Sequence, residues 1–284
     1  MSKNKAILLI LFLFVFDVFV WEQIIFNAPK KDRSDLYFLN VGQGDSELVI
    51  LEGNIKILID GGPSGKIVSE LEKIIKPIDR YLDLVILTHP QTDHFTGLID
   101  VLKRYQVGAF IYNGLDSDSA SFKELRSIIE KRNVSKIVLA EGDKIKHLQD
   151  EFIVLSPNKN ILQDSNINDT CLVLQLISQK TKALFTGDLE GKIEKELVNK
   201  YGDNLRSDIL KVPHHGSKYS STDTFLQVIK PKISVIEVGK NSYGHPASET
   251  LNRLANIGSQ IFNTYKNDTV KIILKEGKAY VFTR

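Results

Sequence analysis

From Leu36 to the C-terminus, runs of apolar residues that alternate or continue without break are separated by stretches whose apolar positions recur every three or four residues. The first pattern reads as strand and the second as amphipathic helix. LYFLNV, SELVIL and IKILID predict three strands, the last two joined by the turn Glu52-Gly53-Asn54. GKIVSELEKIIK sets Ile67, Val68, Leu71, Ile74 and Ile75 on one helix face. LDLVILT then predicts a buried strand, TGLIDVLKRY a helix, GAFIY a strand and SFKELRSIIEKR a second helix. The middle is β-rich, with KIVLA, EFIVLS, TCLVLQLIS and KALFTG. The last part mixes again: DILKVP, a helix around 225–229, KISVIEV, a helix over 248–257, then QIFNT, TVKIIL and KAYVFT. There is no short repeat and no low-complexity segment. Each half runs strands first and helices after, which predicts an α/β fold of two similar layers packed face to face.

Ahead of this lies a mostly apolar run from Ala6 to Phe26. As a helix it would span roughly 30 Å at about 1.5 Å per residue, the thickness of a bilayer core. The expected organisation is a tail (1–5), a transmembrane anchor (6–26), a linker (27–35) and one globular domain (36–284). Asp17 opposes the anchor, at about 2.5–3.5 kcal/mol near a helix centre. A secretory signal with Ala6 to Phe16 as its apolar core is the competing reading, but IIFNAPKK is a poor cleavage site. Lys3 and Lys5 favour an inside N-terminus and Lys30, Lys31 and Arg33 oppose it. The expectation is a single-pass protein of the cell membrane with its domain on the extracytoplasmic side.

The 284 residues, 42% hydrophobic, suffice for one substantial core. A net charge of +2 does not announce a nucleic-acid binder. The single cysteine, Cys171, excludes an intramolecular disulfide and a cysteine-only metal cluster, and reads as a small buried residue.

Five of the six histidines directly follow predicted strands: His89 and His94, the pair His214 and His215, and His245. Strand-end loops are where α/β folds gather reactive groups, and core packing does not produce such clustering. His147, in the alternating KIKHLQ, reads as a surface residue. The sharpest stretch is VILTHPQTDHFTGL, where a strand ends at Thr88, His89, Asp93 and His94 follow within six residues, and Gly97 opens the next helix. Imidazoles and a carboxylate converging from one loop suit a divalent cation such as Zn²⁺ or Mn²⁺. Asp188 ends another apolar strand in ALFTGDLEG; alone, it reads as the N-cap of a helix from Glu190.

HPQTDH, TGD and PHHGS, in that order and each after a strand, resemble the metallo-β-lactamase fold superfamily. VGQGDSELVI, ILIDGG, NDTCLVLQL, LKVPHHGS and VGKNSYGHP narrow the resemblance to the domain that follows the transport channel in ComEC-type DNA-uptake competence proteins. The resemblance runs from about Leu36 to the C-terminus and implies an αββα sandwich with two divalent metal ions, Zn or Mn, in a cleft along its sheet edges. Carried over by position, His89, Asp93, His94, Asp188 and the His214/His215 pair line the metals. Asp188 is implied to bridge the ions, His215 is the favoured ligand of the pair, His245 lies across the cleft, and Asp60 steadies a ligand imidazole. The chain departs from the pattern in several places. Gln91 stands where the superfamily has histidine and competence proteins often have aspartate, and Asn168 stands where many relatives supply another histidine. The first metal position, left with His89 and a Gln91 carbonyl, is therefore expected to be weak or completed by substrate. Asn40 replaces an aspartate common before VGQGD, and Cys171 a frequent serine.

The implied reaction is hydrolysis of a phosphodiester, with DNA as the expected substrate in a competence-related process. A metal pair lowers the pKa of bound water towards about 7. Asp93 and Asp188 would orient that water, and His245 or the non-ligating histidine, His214, would protonate the leaving oxygen. Asn168, Ser217, Lys218, Asn241 and Tyr243 are candidate substrate contacts. A separate DNA-uptake channel protein is the expected partner if the chain acts in uptake. Two alternatives stand beside this: a hydrolase of a small envelope phosphodiester, and a metal-poor binding module without turnover, which Gln91 and Asn168 keep open. The aromatic residues form no base-stacking series, so no preference for single strands is read.

Overall fold

The computed structural model describes residues 3–26, 33–158, 162 and 166–283. The chain divides into two compact units, residues 1–32 and 33–284. In the first unit, helix α1 runs Lys3–Phe26, and its side chains from Ile7 to Phe19 are exposed, apolar on every side but for Asp17. Among the described residues no helix is long and apolar enough to cross a membrane. The expected anchor over 6–26 is thus a helix but lacks an uninterrupted apolar span, because Asp17 falls within its run. Residues 27–32 of the expected linker lie outside the described residues, while Ser34 and Asp35 already belong to the first strand.

The second unit contains fifteen strands among the described residues. In chain order they are β1 (Ser34–Phe38), β2 (Glu47–Leu51), β3 (Ile55–Ile59), β4 (Tyr81–Ile86), β5 (Gln106–Tyr112), β6 (Ser135–Val138), β7 (Lys144–His147), β8 (Asp150–Ser156), β9 (Val173–Ser178), β10 (Thr181–Phe185), β11 (Ile209–Lys211), β12 (Ile233–Ile236), β13 (Gln260–Asn263), β14 (Val270–Lys275) and β15 (Lys278–Phe282). One sheet orders them β15-β14-β1-β2-β3-β4-β5-β6, the other β13-β12-β11-β10-β9-β8-β7. β3 to β6 run parallel in the first sheet and β10 to β13 in the second. Each parallel pair needs a crossover, and helices supply most of these on the outer faces. Those on the first sheet are α2 (Lys66–Glu72), α3 (Thr92–Arg104) and α4 (Ala120–Lys131); those on the second are Gly191–Tyr201, Asp223–Ile229 and Ser248–Asn256.

Three apolar clusters hold the layers. Phe38, Ile59, Ile86, Phe152, Leu174 and Phe185 fill the space between the sheets. Leu71, Phe95, Leu98, Phe122 and Leu125 pack the first helical layer, and Ile193, Leu197, Phe225, Leu226 and Leu254 the second. The αββα arrangement follows, with the carboxyl ends of β1, β3, β4, β10, β11 and β12 gathered at one edge.

Three local differences from the sequence reading matter at that edge. Helix α3 begins at Thr92, not near Gly97, so Asp93 and His94 belong to its first turn, where a carboxylate meets the positive end of the helix dipole. A Cβ at Gly97 would lie 2.0 Å from the Gly61 carbonyl oxygen, so glycine is what lets α3 pack against that loop. Asp188 caps nothing: the helix after it starts at Gly191 with Glu190 at its N-cap position.

Candidate metal centre

The groups converge because six strands deliver their following loops to the same edge. Asp93 Oδ2 lies 3.3 Å from His215 Nε2, Asp188 Oδ2 lies 3.6 Å from the same nitrogen, and His94 Nε2 lies 3.3 Å from Asp188 Oδ2. One ligand atom from each of Asp93, His94, Asp188 and His215 falls within 4.8 Å of the others. Donors around a tetrahedral zinc, at bonds of about 2.0–2.1 Å, stand about 3.4 Å apart, so the spacing suits such an ion.

Each imidazole is held by its other nitrogen. His94 Nδ1 meets Asp60 Oδ2 at 2.7 Å, and Asp60 also accepts from the Thr88 amide (2.8 Å) and hydroxyl (2.6 Å). His215 Nδ1 donates to the Glu237 carbonyl at 2.9 Å and stands 3.2 Å from Asp45 Oδ1. These supports fix the rings so that both Nε2 atoms face the carboxylates, the arrangement found behind metal-ligating histidines. His94 Nε2 is buried without a hydrogen-bond partner, 3.3 Å from Asp188 Oδ2. An orphaned ring nitrogen of this kind is costly unless something fills the space it faces, and a divalent cation among two carboxylates and two imidazoles does so.

The electrostatics are those of a tight cluster. Burial works against the charge of His94, yet Asp188, Asp60 and Asp45 hold its pKa well above the usual value. Burial likewise opposes His215, and Asp188 and Asp45 push it up to about 10. Burial would raise Asp188, but His215, His94 and Lys211 hold it well below the usual carboxylate range, while His215 and His94 bring Asp93 down to about 2. His89 is driven the other way, to about 3, by burial and the neighbouring His94.

The remaining sequence-predicted residues separate. His214 is about a quarter exposed, with Nε2 3.9 Å from Asp188 and Nδ1 3.3 Å from Glu190, so of the pair it is His215 that joins the cluster. Both residues sit at positive φ, 50° and 52°, a sparsely used conformation for side-chain-bearing residues that commonly marks working sites. His245 faces His214 at 5.8 Å between ring centres, with Tyr243 stacked on it. His89 is buried, its ring 4.2 Å from that of His94 and its Nδ1 3.0 Å from the Thr88 hydroxyl. Gln91 and Asn168 face each other, the Gln91 Nε2 donating to Asn168 Oδ1 at 2.6 Å. The His89 imidazole and this amide pair stand outside the four-residue cluster.

Three candidate substrate contacts have other duties. Asn168 is spent on Gln91. Ser217 is buried, its hydroxyl accepting from the Tyr219 amide. The side chain of Asn241 bonds Gly239, Tyr243 and both backbone groups of His245, so it shapes the loop that presents His245. Lys218 is exposed over the Tyr219 ring, and Tyr243, 75% exposed, lines the cleft. That cleft, about 380 Å³, is also lined by Gln43, Gln91, Thr92, Asp93, Asp188, His214, His215 and His245.

Sequence reasoning missed the floor beneath the cluster. Lys211, fully buried, ion-pairs with Asp45, donates to the Gly187 carbonyl at 2.9 Å and lies 3.8 Å from Asp188 Oδ1. Burial and the Asp45 charge push Glu237 up to about 8, and Glu47 is raised by burial and by Glu237. The available signal was a charge inside an apolar strand: lysine in DILKVP and glutamate in KISVIEV.

An αββα sandwich with aspartates and histidines gathered at the strand ends of its open edge is the architecture of one class of proteins. The chain belongs to the metallo-beta-lactamase superfamily, whose sequence pattern it matches over residues 39–239. It is 31% identical over 268 residues to ComE operon protein 3 of Bacillus subtilis, covering 87% of this chain and 34% of that protein. It is 30% identical over 257 residues to competence protein ComA of Neisseria gonorrhoeae, covering 88% and 34%. The chain therefore spans about a third of the length of these relatives. Among solved structures it is similar to the metallo-beta-lactamase fold protein YhfI from Bacillus subtilis, with a TM-score of 0.57, 10% identity, and coverage of 88% of this chain and 100% of that one.

Proposed function

We propose that this chain is a divalent-metal-dependent phosphodiesterase acting on DNA in a competence-related process. The observation that carries the reading is the Asp93, His94, Asp188 and His215 cluster, with His94 Nε2 buried and unpartnered, opening on a cleft. Those four residues would hold a divalent ion, which would supply acidification of water and withdrawal of charge from a phosphoryl oxygen. The chain's own residues do the rest. Asp93, at the cleft surface, and Asp188 beneath it orient the attacking water. His245 is held below its usual pKa by burial and by His214, so it enters as a neutral imidazole fit to take that water's proton. His214, on the open side beside Glu190, is placed to hand a proton to the leaving oxygen. In this reading His245 acts as the base and not as the acid expected from sequence, because its imidazole is half-buried next to another.

DNA as substrate and competence as process come from the relatives' names and from the resemblance. Helix α1, apolar nearly all round, is read as holding the chain at a lipid surface, and retention of the full chain, but not of residues 33–284, in a membrane fraction tests that. The test of function is cleavage of labelled single- and double-stranded DNA by metal-stripped full chain on titration with Mn²⁺ or Zn²⁺, with Asp93→Ala as control. Metal-dependent cleavage that the variant lacks supports the reading. A cleft of about 380 Å³ also fits a small phosphodiester, so turnover of bis(p-nitrophenyl) phosphate without DNA cleavage would redirect the substrate. Inertness towards both, with metal bound, would remove the enzyme.

A further inference from the structure

We infer that this chain holds a single divalent ion, between Asp93, His94, Asp188 and His215, and that the neighbouring position on the His89 side is closed by the Gln91–Asn168 amide pair. The inference rests on the metal centre proposed above and fixes its nuclearity.

Three observations carry it. The first is the count of strong donors. On the His89 side there is one imidazole, with Nε2 buried and unpartnered, and whatever Asp188 can share; the ion on the other side would have two imidazoles and two carboxylates. Protein sites that retain borderline cations supply three or four ligands. The second is the amide pair. Gln91 Nε2 and Asn168 Oδ1 are 2.6 Å apart, and whichever way the two amides are turned, one of their carbonyl oxygens is used as an acceptor. Gln91 occupies the N-cap position of α3 yet makes no side-chain capping bond, and its amide bonds Asn168 instead. The third is Asp188 itself. Its Oδ2 faces His94, His215 and His214, while Oδ1 lies 3.8 Å from the buried Lys211 ammonium. A positive charge of the protein already faces the oxygen that a second cation would need.

The test counts metal. Full-length protein, stripped and then equilibrated with excess Zn²⁺ and desalted, is analysed by elemental mass spectrometry, and a parallel Co²⁺ titration is followed by its visible absorption. The expected content is about one ion per chain, unchanged in Gln91→Ala, rising to about two in the double variant Gln91→His/Asn168→His, and falling to none in His94→Ala. Thermal unfolding of each variant checks the fold, and Gln91→Ala retains the comparison if the double variant does not fold. Two ions in the unaltered chain would overturn the single-ion inference and leave the metal centre standing. No ion at all would overturn both. A folded double variant that still holds one ion would show that the amides are not what closes the position.

Discussion

The two sides of the site share the loop after β4 and differ in what that loop meets. On one side Asp93, His94, Asp188 and His215 bring opposite charges within 3.3 to 3.6 Å. On the other, Gln91 and Asn168 satisfy each other at 2.6 Å beside a neutral His89. A fold delivers positions, and the side chains at them decide whether the result is an ion site or a closed hydrogen bond.

The comparison breaks most visibly at Asp188. Asp188→Ala leaves Lys211, His94 and His215 without their shared buried counter-charge, so besides abolishing hydrolysis it is expected to cost about 3–5 kcal/mol of stability, measured by denaturant unfolding. Asp93, about a third exposed, separates the two effects. Asp93→Ala should lower turnover about 10³-fold, or about 4 kcal/mol in the barrier, while stability changes by no more than about 1 kcal/mol. Equal destabilisation by the two variants would contradict the placement of Asp188 at the charged floor.

A pH measurement sharpens the contrast. The His94 and His215 pKa values are raised, the latter to about 10, so His215 carries a proton at pH 7 that an ion must displace. Zn²⁺ binding at pH 7 should release at least about one proton, and affinity should rise at least about tenfold per pH unit between pH 6 and 8. Calorimetry in buffers of different ionisation enthalpy reads the number, and zero would contradict the cluster. In the metal-free chain the same raised values mean that the stability these two histidines supply is fully present below their unfolded pKa, near 6.5, and is lost as pH rises through their folded values. The smallest effect is at the closed side, where Gln91→Ala should cost about 1 kcal/mol of stability through the lost Asn168 bond and leave metal affinity within about threefold.

The layers were legible in the sequence because period two and period 3.6 separate cleanly along most of the chain, and because the helices between parallel strands are long enough to show a face. The start of α3 was not, since Thr92, Asp93 and His94 are polar and a first turn without apolar residues carries no periodicity. The histidines and aspartates stood out by lying after apolar strands. Asp45, Lys211 and Glu237 did not, because their meaning is three-dimensional: a lysine inside a strand is only an oddity until two loops bring Asp45 and Asp188 to it. Asn241 drew attention as a polar loop residue, and only its four hydrogen bonds reveal that it serves the loop rather than a ligand. The single cysteine behaves as read, buried behind Asp188, whose amide donates to its sulfur at 3.3 Å.

The measurement that tests the central claim most directly is an anomalous difference map from crystals of the full chain equilibrated with Zn²⁺, collected on both sides of the zinc edge. The account predicts one peak, bounded by Asp93 Oδ2, His94 Nε2, Asp188 Oδ2 and His215 Nε2, and no peak between His89 and Gln91. A peak elsewhere, or none in that cluster at saturating zinc, would contradict it.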